Sequence, residues 1–243
     1  MLGLKDREAL MVQKWVHLSE LGGDPWVLPI WTSVHDAIKK GKVKEIPEEL
    51  SEQGVYISVR LNMLPRIASR IRTEVADLIK VLESRTEEHE FTAKKEGCAF
   101  AIDDNLKYQL LIDIDSLLFE LNSLCELMGQ FFEKLHLLAG VGMPKKNVGL
   151  SIKAVLDSAK QNSSWFVNLD NHRNFFMHNG APYMAVDVSP SLNGVDVLIM
   201  KENLRDFAND EKFIRLSEIE QIVKGFAASK PIIQAYLQDL FKA

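Results

Sequence analysis

Cysteine is scarce in this chain. Cys98 and Cys125 are the only two in 243 residues, and they show no C-x-x-C spacing. That excludes a disulfide framework and a sequence-local zinc site, and it sets a reduced, cytoplasmic protein as the expectation. No apolar run approaches the about 18 residues that a membrane span requires. The opening stretch MLGLKDREALMVQKW carries charge where a secretory leader has its apolar centre, so neither a span nor a leader is expected. Excess positive charge is missing too. The formal net charge is −5, which argues against a broad, nonspecific grip on nucleic acid and leaves room for a local basic patch, a small or structured substrate, or another ligand. No phosphate-cradling P-loop, nucleophile elbow, H-E-x-x-H pair or dinucleotide fingerprint occurs, so no cofactor and no metal are expected. Internal repeats and low-complexity stretches are also absent.

What is present is helical periodicity. Leu110, Ile114, Leu117, Leu121, Leu124, Met128, Phe131, Leu135 and Leu138 follow one another at alternating steps of four and three. This is the stripe of a helix packed at a shallow angle, and it predicts one helix over 104–139. Asp103 or Asp104 can cap its start, and Gly140, Gly142 and Pro144 end it. Leu64, Ile67, Ile71, Val75, Leu78 and Leu82 form a second stripe. It predicts a helix over most of 53–95 with a kink or break near Pro65, although Val55, Ile57, Val59 and Leu61 also alternate like a strand. The turn at Lys94, Lys95, Glu96 and Gly97 then makes residues 66–139 a long antiparallel helical hairpin.

Shorter elements follow. Ser151 starts a helix to about Gln161, with Ile152, Val155, Leu156 and Ala159 as its apolar side. Another runs from about Ser164 to Asn179, presenting Trp165, Phe166, Leu169, Phe176 and Met177 and ending at Gly180 and Pro182. Met184, Val186 and Val188, then Val195, Val197 and Ile199, alternate around a Ser/Pro/Asn/Gly loop, a β-hairpin pattern near 183–200. Ser217 and Glu220 have the spacing of a capping box for a last helix toward Phe241, interrupted near Gly225 and Pro231. The expected fold is all-α: a long helical hairpin within a four- or five-helix bundle, plus a small β-hairpin. Residues 1–52 read as an N-terminal arm with short helices, and 53–243 as the helical domain.

The chemistry-bearing stretch is His172-Arg173-Asn174-Phe175-Phe176-Met177-His178-Asn179-Gly180. Arginine keeps its charge and its planar fork matches a phosphate, while histidine can transfer a proton near neutrality. On a helix, five residues amount to about 140° of rotation and about 7.5 Å of rise. The Arg173 and His178 Cβ atoms do not stack, but a long arginine can swing its head toward the imidazole. The bland reading is a solvated arginine beside a half-buried histidine.

The pattern Arg173-Asn174-x-x-x-His178, late in a chain of long amphipathic helices, resembles the HEPN superfamily (higher eukaryotes and prokaryotes nucleotide-binding domains). Its signature is an arginine, often followed by a polar residue, and a histidine a few residues later. The helical frame extends the resemblance over residues 53–240. The resemblance implies a metal-independent endoribonuclease or toxin-like RNA-processing factor. In it the ribose 2′-hydroxyl attacks the phosphorus to leave a 2′,3′-cyclic phosphate. His178 would transfer the proton and Arg173 would stabilise charge on the phosphoryl oxygens. Asn174 would orient His178 or bind a phosphate oxygen, or be an ordinary solvated residue. The resemblance also implies a homodimer that pairs two motifs, RNA as substrate, and an antitoxin or other protein partner. Two rivals stand beside it: a non-catalytic module of the same superfamily that binds a nucleotide, RNA or a protein, and a purely structural helical scaffold.

Other charged groups read as ordinary surface. Asp170, His172 and Asn179 flank the motif as polar surface residues. Arg66 and Arg70, with Arg72 nearby, could form a phosphate-binding stripe or could pair with acids such as Glu74. Glu87, Glu88, His89 and Glu90 mark a solvated tip, and His17, His35 and His136 have no partners at ligand spacing.

Overall fold

The computed structural model describes residues 18, 22–85, 102–188, 195–202 and 209–242. The expected turn at 94–97, the cluster at 87–90, His17, Cys98 and the hairpin loop at 189–194 lie outside the described residues. The described chain is about 73% helix in six α-helices, with a three-stranded antiparallel sheet. None of these helices is long and apolar enough to cross a membrane.

A 3-10 turn at Pro25–Val27 leads into α1 (Leu28–Lys39). Asp24 accepts from the Trp26 backbone N–H, and the Trp26 indole donates to the Lys230 carbonyl at 2.9 Å. With Ile30, Val34 and Ala37 also buried, this segment is packed into the core. Helix α2 (Glu48–Arg85) starts earlier than its apolar stripe suggested and runs through Pro65 without a break. Ile57, Leu61, Leu64, Ile67 and Ile71 are buried while Val55 and Tyr56 are exposed, a helical period that displaces the strand alternative for 55–61. The dividing point expected at 52/53 falls inside α2, and α1 shares the core of the later helices.

Helix α3 (Asp104–Ala139) is continuous over 36 residues, about 50 Å. Asp103 caps it by accepting from the Leu106 N–H, and Gly140 ends it at φ 66°, where a side chain would be strained. Its expected stripe is buried from Leu110 through Leu135, and Leu138 is partly buried at the end. Polar rungs fix the antiparallel register with α2: Lys134 with Glu49, Gln53 with Gln130, Arg60 with Glu120, and Arg70 with Asp113.

The last rung is a triad. Arg70 Nε and Nη2 each donate to Asp113 at 2.7 Å, and Asp113 is 1% exposed. Burial, reinforced by the Asp113 carboxylate, pushes Glu74 up to about 7, while the Arg70 guanidinium holds Asp113 below the usual carboxylate range. Folding therefore favours protonated Glu74. Its contribution is complete below its ordinary 4.5 and is lost as the pH rises through about 7. Asp113 contributes in the opposite direction, losing its share only on acidification below 3.8. Glu74→Gln is expected to match the parent at pH 5 and to exceed its stability at pH 8 by about 1–2 kcal/mol, read by denaturant titration at both pH values. Equal stability at pH 8 would refute this.

Helix α4 (Val148–Ser158) is capped by Asn147, whose Oδ1 accepts from the Leu150 N–H, rather than by Ser151. Ser151 is fully buried, and its hydroxyl bonds to the Lys145 and Asn147 backbone. Helix α5 (Ser164–His178) carries the motif and stops before Gly180, which sits at φ 70°. Strands β1 (Met184–Asp187) and β2 (Asp196–Met200) form the expected hairpin in the register Met184↔Ile199 to Asp187↔Asp196. A third strand, β3 (Phe213–Arg215), pairs with the other edge of β2 and feeds directly into α6 (Leu216–Asp239).

Helix α6 corrects two expectations. The Ser217–Glu220 box does not form. Asp196 of β2 instead accepts from the Ser217 N–H and hydroxyl, and Glu218 accepts from the Arg215 N–H. The neighbouring strand supplies the cap, so a sequence-local rule could not find it. Nor do Gly225 and Pro231 interrupt the helix. Ile219, Ile222, Phe226, Ile233 and Leu237 are buried against the rest of the bundle, and tertiary packing outweighs the weak propensities of two residues. His136 of α3 ties this end together: its Nδ1 lies 3.1 Å from the Val141 carbonyl and its Nε2 3.2 Å from the Tyr236 hydroxyl. A carbonyl only accepts, so Nδ1 carries a proton and donates to it, and in the neutral imidazole Nε2 accepts from the Tyr236 hydroxyl.

Candidate functional site

Helix α5 packs against α3 and α6 through one narrow face. Trp165 and Leu169 are buried, and Phe175 and Phe176 are partly so. Trp165 fixes the docking. Its indole donates to the Ser229 hydroxyl at 3.1 Å, its ring meets Phe226 edge-on, and it lies over Gly225. Phe166 and Met177, expected on the inward face, are 44% and 51% exposed, and Val167 is 61% exposed. They lie outside the packed stripe, Val167 opposite it and Phe166 and Met177 on its flank, because only the stripe through 165, 169 and 176 meets the core.

That outer arc also carries the motif. His178 is exposed, in the last turn of α5, and forms no hydrogen bond or ion pair among the described residues. Arg173 is half-buried at the edge of the packed face. Its Nη1 donates to the Asn174 side-chain oxygen at 3.0 Å, and its Nε is buried without a partner among the described residues. Within one chain, then, Arg173 and Asn174 are joined and His178 stands apart. The Asn174 amide oxygen is turned to the guanidinium, not to the imidazole, and its N–H₂ donors have no partner among the described residues. Asp170 and Asn179 are exposed, and the Asn179 amide donates to the Phe175 carbonyl.

His172 differs from its expected surface role. Its side chain is only 14% exposed, and Nε2 lies 3.6 Å from Glu218 of α6. Burial lowers its pKa, with Lys201 adding to the effect and Glu218 opposing it. The signal was present in the sequence: His172 lies three residues after Leu169 and four before Phe176, in line with the buried stripe. Arg70, whose alternatives were a phosphate stripe or a pair with Glu74, takes Asp113 as its partner. Arg66 and Arg72 form no ion pair among the described residues.

The chain matches no protein-family model, no curated protein and no solved structure. The site must be read from its own geometry.

Proposed function

We propose that the chain is a HEPN-type, metal-independent endoribonuclease or toxin-like RNA-processing factor that works as a two-fold dimer through the outer arc of α5. The observation that supports this reading is the composition of that arc. Among the described residues, an arginine with an orphaned Nε, an asparagine with free amide donors and an unpartnered histidine share it with three exposed apolar side chains, Phe166, Val167 and Met177. A second copy packed on these apolar groups gives them a partner and brings in a second histidine. Cleavage needs both a base and an acid, and one motif supplies one imidazole.

In this reading, RNA lies across the paired arcs. One His178 takes the proton of the ribose 2′-hydroxyl while O2′ bonds to phosphorus. The P–O5′ bond breaks, and the His178 of the second copy gives a proton to the leaving oxygen. Arg173 and the Asn174 amide donate to the phosphoryl oxygens as charge develops there. A protein antitoxin would act by covering the same arc.

Sedimentation at micromolar concentration is expected to show a dimer that Val167→Glu dissociates. A monomeric parent would remove the second imidazole and with it the mechanism. Purified protein is expected to cut total RNA in EDTA, with Arg173→Ala and His178→Ala as inactive controls.

One observation favours a second reading, the non-catalytic binding module. In the single chain the Arg173 fork is engaged by Asn174, and no bond joins it to His178 among the described residues. If no RNA is cut and the His178→Ala protein still binds RNA, the module is the better account.

A further inference from the structure

We propose that the groove on α2 built by Arg66, Ser69, Arg70 and Thr73 binds a phosphate ester, as a site separate from the α5 motif and independent of the reading given to it. These residues follow one another at steps of three, one and three, so they share one helix face. With Pro65 and Glu74 they line a groove of about 520 Å³, within the size range of small-ligand sites.

Three features make this more than a solvated helix face. First, Arg70 is already positioned. Asp113, itself 1% exposed, holds Nε and Nη2 at 2.7 Å each, while the Arg70 side chain is 55% exposed. The two Nη1 N–H groups and one on Nη2 remain for a ligand, on a guanidinium whose rotamer is fixed from behind. Second, Arg66 adds a cation one turn away that no acid neutralises among the described residues. Ser69 and Thr73 also line the groove, with the Thr73 hydroxyl donating to the Ser69 carbonyl at 3.1 Å. Third, the acid in the groove is held uncharged below about 7. Glu74 Oε2 is buried with no donor facing it, next to the Asp113 carboxylate, and a proton on Glu74 relieves both the repulsion and the unmet oxygen. With Arg66 and Arg70 positive, Asp113 negative and Glu74 protonated below about 7, the groove is cationic there in a chain of net charge −5.

The charge of the groove therefore depends on Glu74. The groups facing its carboxyl are Arg70 on its own helix and Asp113 on α3. Above about 7 the proton leaves, a second negative charge appears and an anion is repelled.

The test is isothermal titration of the His178→Ala protein, so that RNA is not consumed, with ATP and with a single-stranded RNA decamer at pH 6 and pH 8.5. At least one phosphate ester is expected to bind, at least fivefold more tightly at pH 6. Tighter binding of ATP identifies a nucleotide site, and tighter binding of the decamer a backbone site. Adding Arg66→Glu is expected to weaken binding at least tenfold. Arg72→Glu makes the same charge change about 120° around the helix and is expected to leave affinity within twofold. Adding Glu74→Gln is expected to hold the pH 6 affinity at pH 8.5. The proposal is overturned if neither ester binds, if the two arginine reversals weaken binding equally, or if the pH response is unchanged by Glu74→Gln. Any of these can occur while the His178-competent protein still cuts RNA, so failure here and failure of the α5 reading are separable.

Discussion

Replacing His178 by alanine is expected to lower RNA cleavage by about a hundred- to ten-thousand-fold, the range of a lost proton-transfer group. The fold should be untouched, because the imidazole is exposed and makes no bond among the described residues. Arg173→Lys separates charge from shape. It keeps the positive charge but loses the planar fork, and about a hundredfold or greater loss is expected from an oxyanion contact that a point charge cannot reproduce. Single-turnover rates and thermal melting measured on the same preparations check both. Full activity in His178→Ala, or an unchanged rate in Arg173→Lys, would remove the motif from the chemistry.

The largest expected stability effect lies at Gly225. Helix propensity alone favours alanine over glycine by about 1 kcal/mol inside a helix, so Gly225→Ala would be expected to stabilise α6. Geometry predicts the opposite. A Cβ at Gly225 would stand 2.5 Å from Trp165 Cγ, 2.6 Å from Cδ1 and 2.7 Å from Cβ. The indole has no easy retreat, since Ser229 holds its N–H and Phe226 and Phe166 meet it edge-on. Contacts this short cost more than the helix term returns, and a net loss of about 2 kcal/mol is expected, or about 5 °C in melting temperature. Gly142→Ala, where nothing lies within 4 Å, serves as the neutral control. Melting that is unchanged or raised in Gly225→Ala would mean that α5 is not docked as described. The docking matters for function because Trp165 sets which arc of α5 faces outward.

The elements most legible in the sequence are those whose signal is long and local. The nine-position stripe of α3, its Asp103 cap and its Gly140 stop needed no tertiary information. The end of α5 at Gly180 and the β1–β2 hairpin were legible for the same reason. Readings that depended on distant partners went astray. The α6 cap comes from Asp196 on β2, and α6 passes through Gly225 and Pro231 because Trp165 and Trp26 pack or bond there. β3 is three residues long, too short to show alternation. At the site, Arg173, Asn174 and His178 were legible as residue types at a spacing. The turn of the Asn174 amide toward Arg173 is a choice of rotamer that residue types do not reveal, while the burial of His172 and the triad of Arg70, Glu74 and Asp113 arise only when α5 meets α6 and α2 meets α3.

The central claim is a 2′-hydroxyl attack directed by the α5 motif. It is tested most directly with a defined single-stranded RNA that the purified protein cuts at one position, compared in EDTA with the same strand carrying one 2′-deoxy nucleotide on the 5′ side of the scissile phosphate. The account predicts cleavage of the all-ribose strand, a 2′,3′-cyclic phosphate on the upstream fragment, and no cut at the substituted position. Equal cutting of the 2′-deoxy strand, or cleavage that EDTA abolishes and a divalent cation restores, would contradict it.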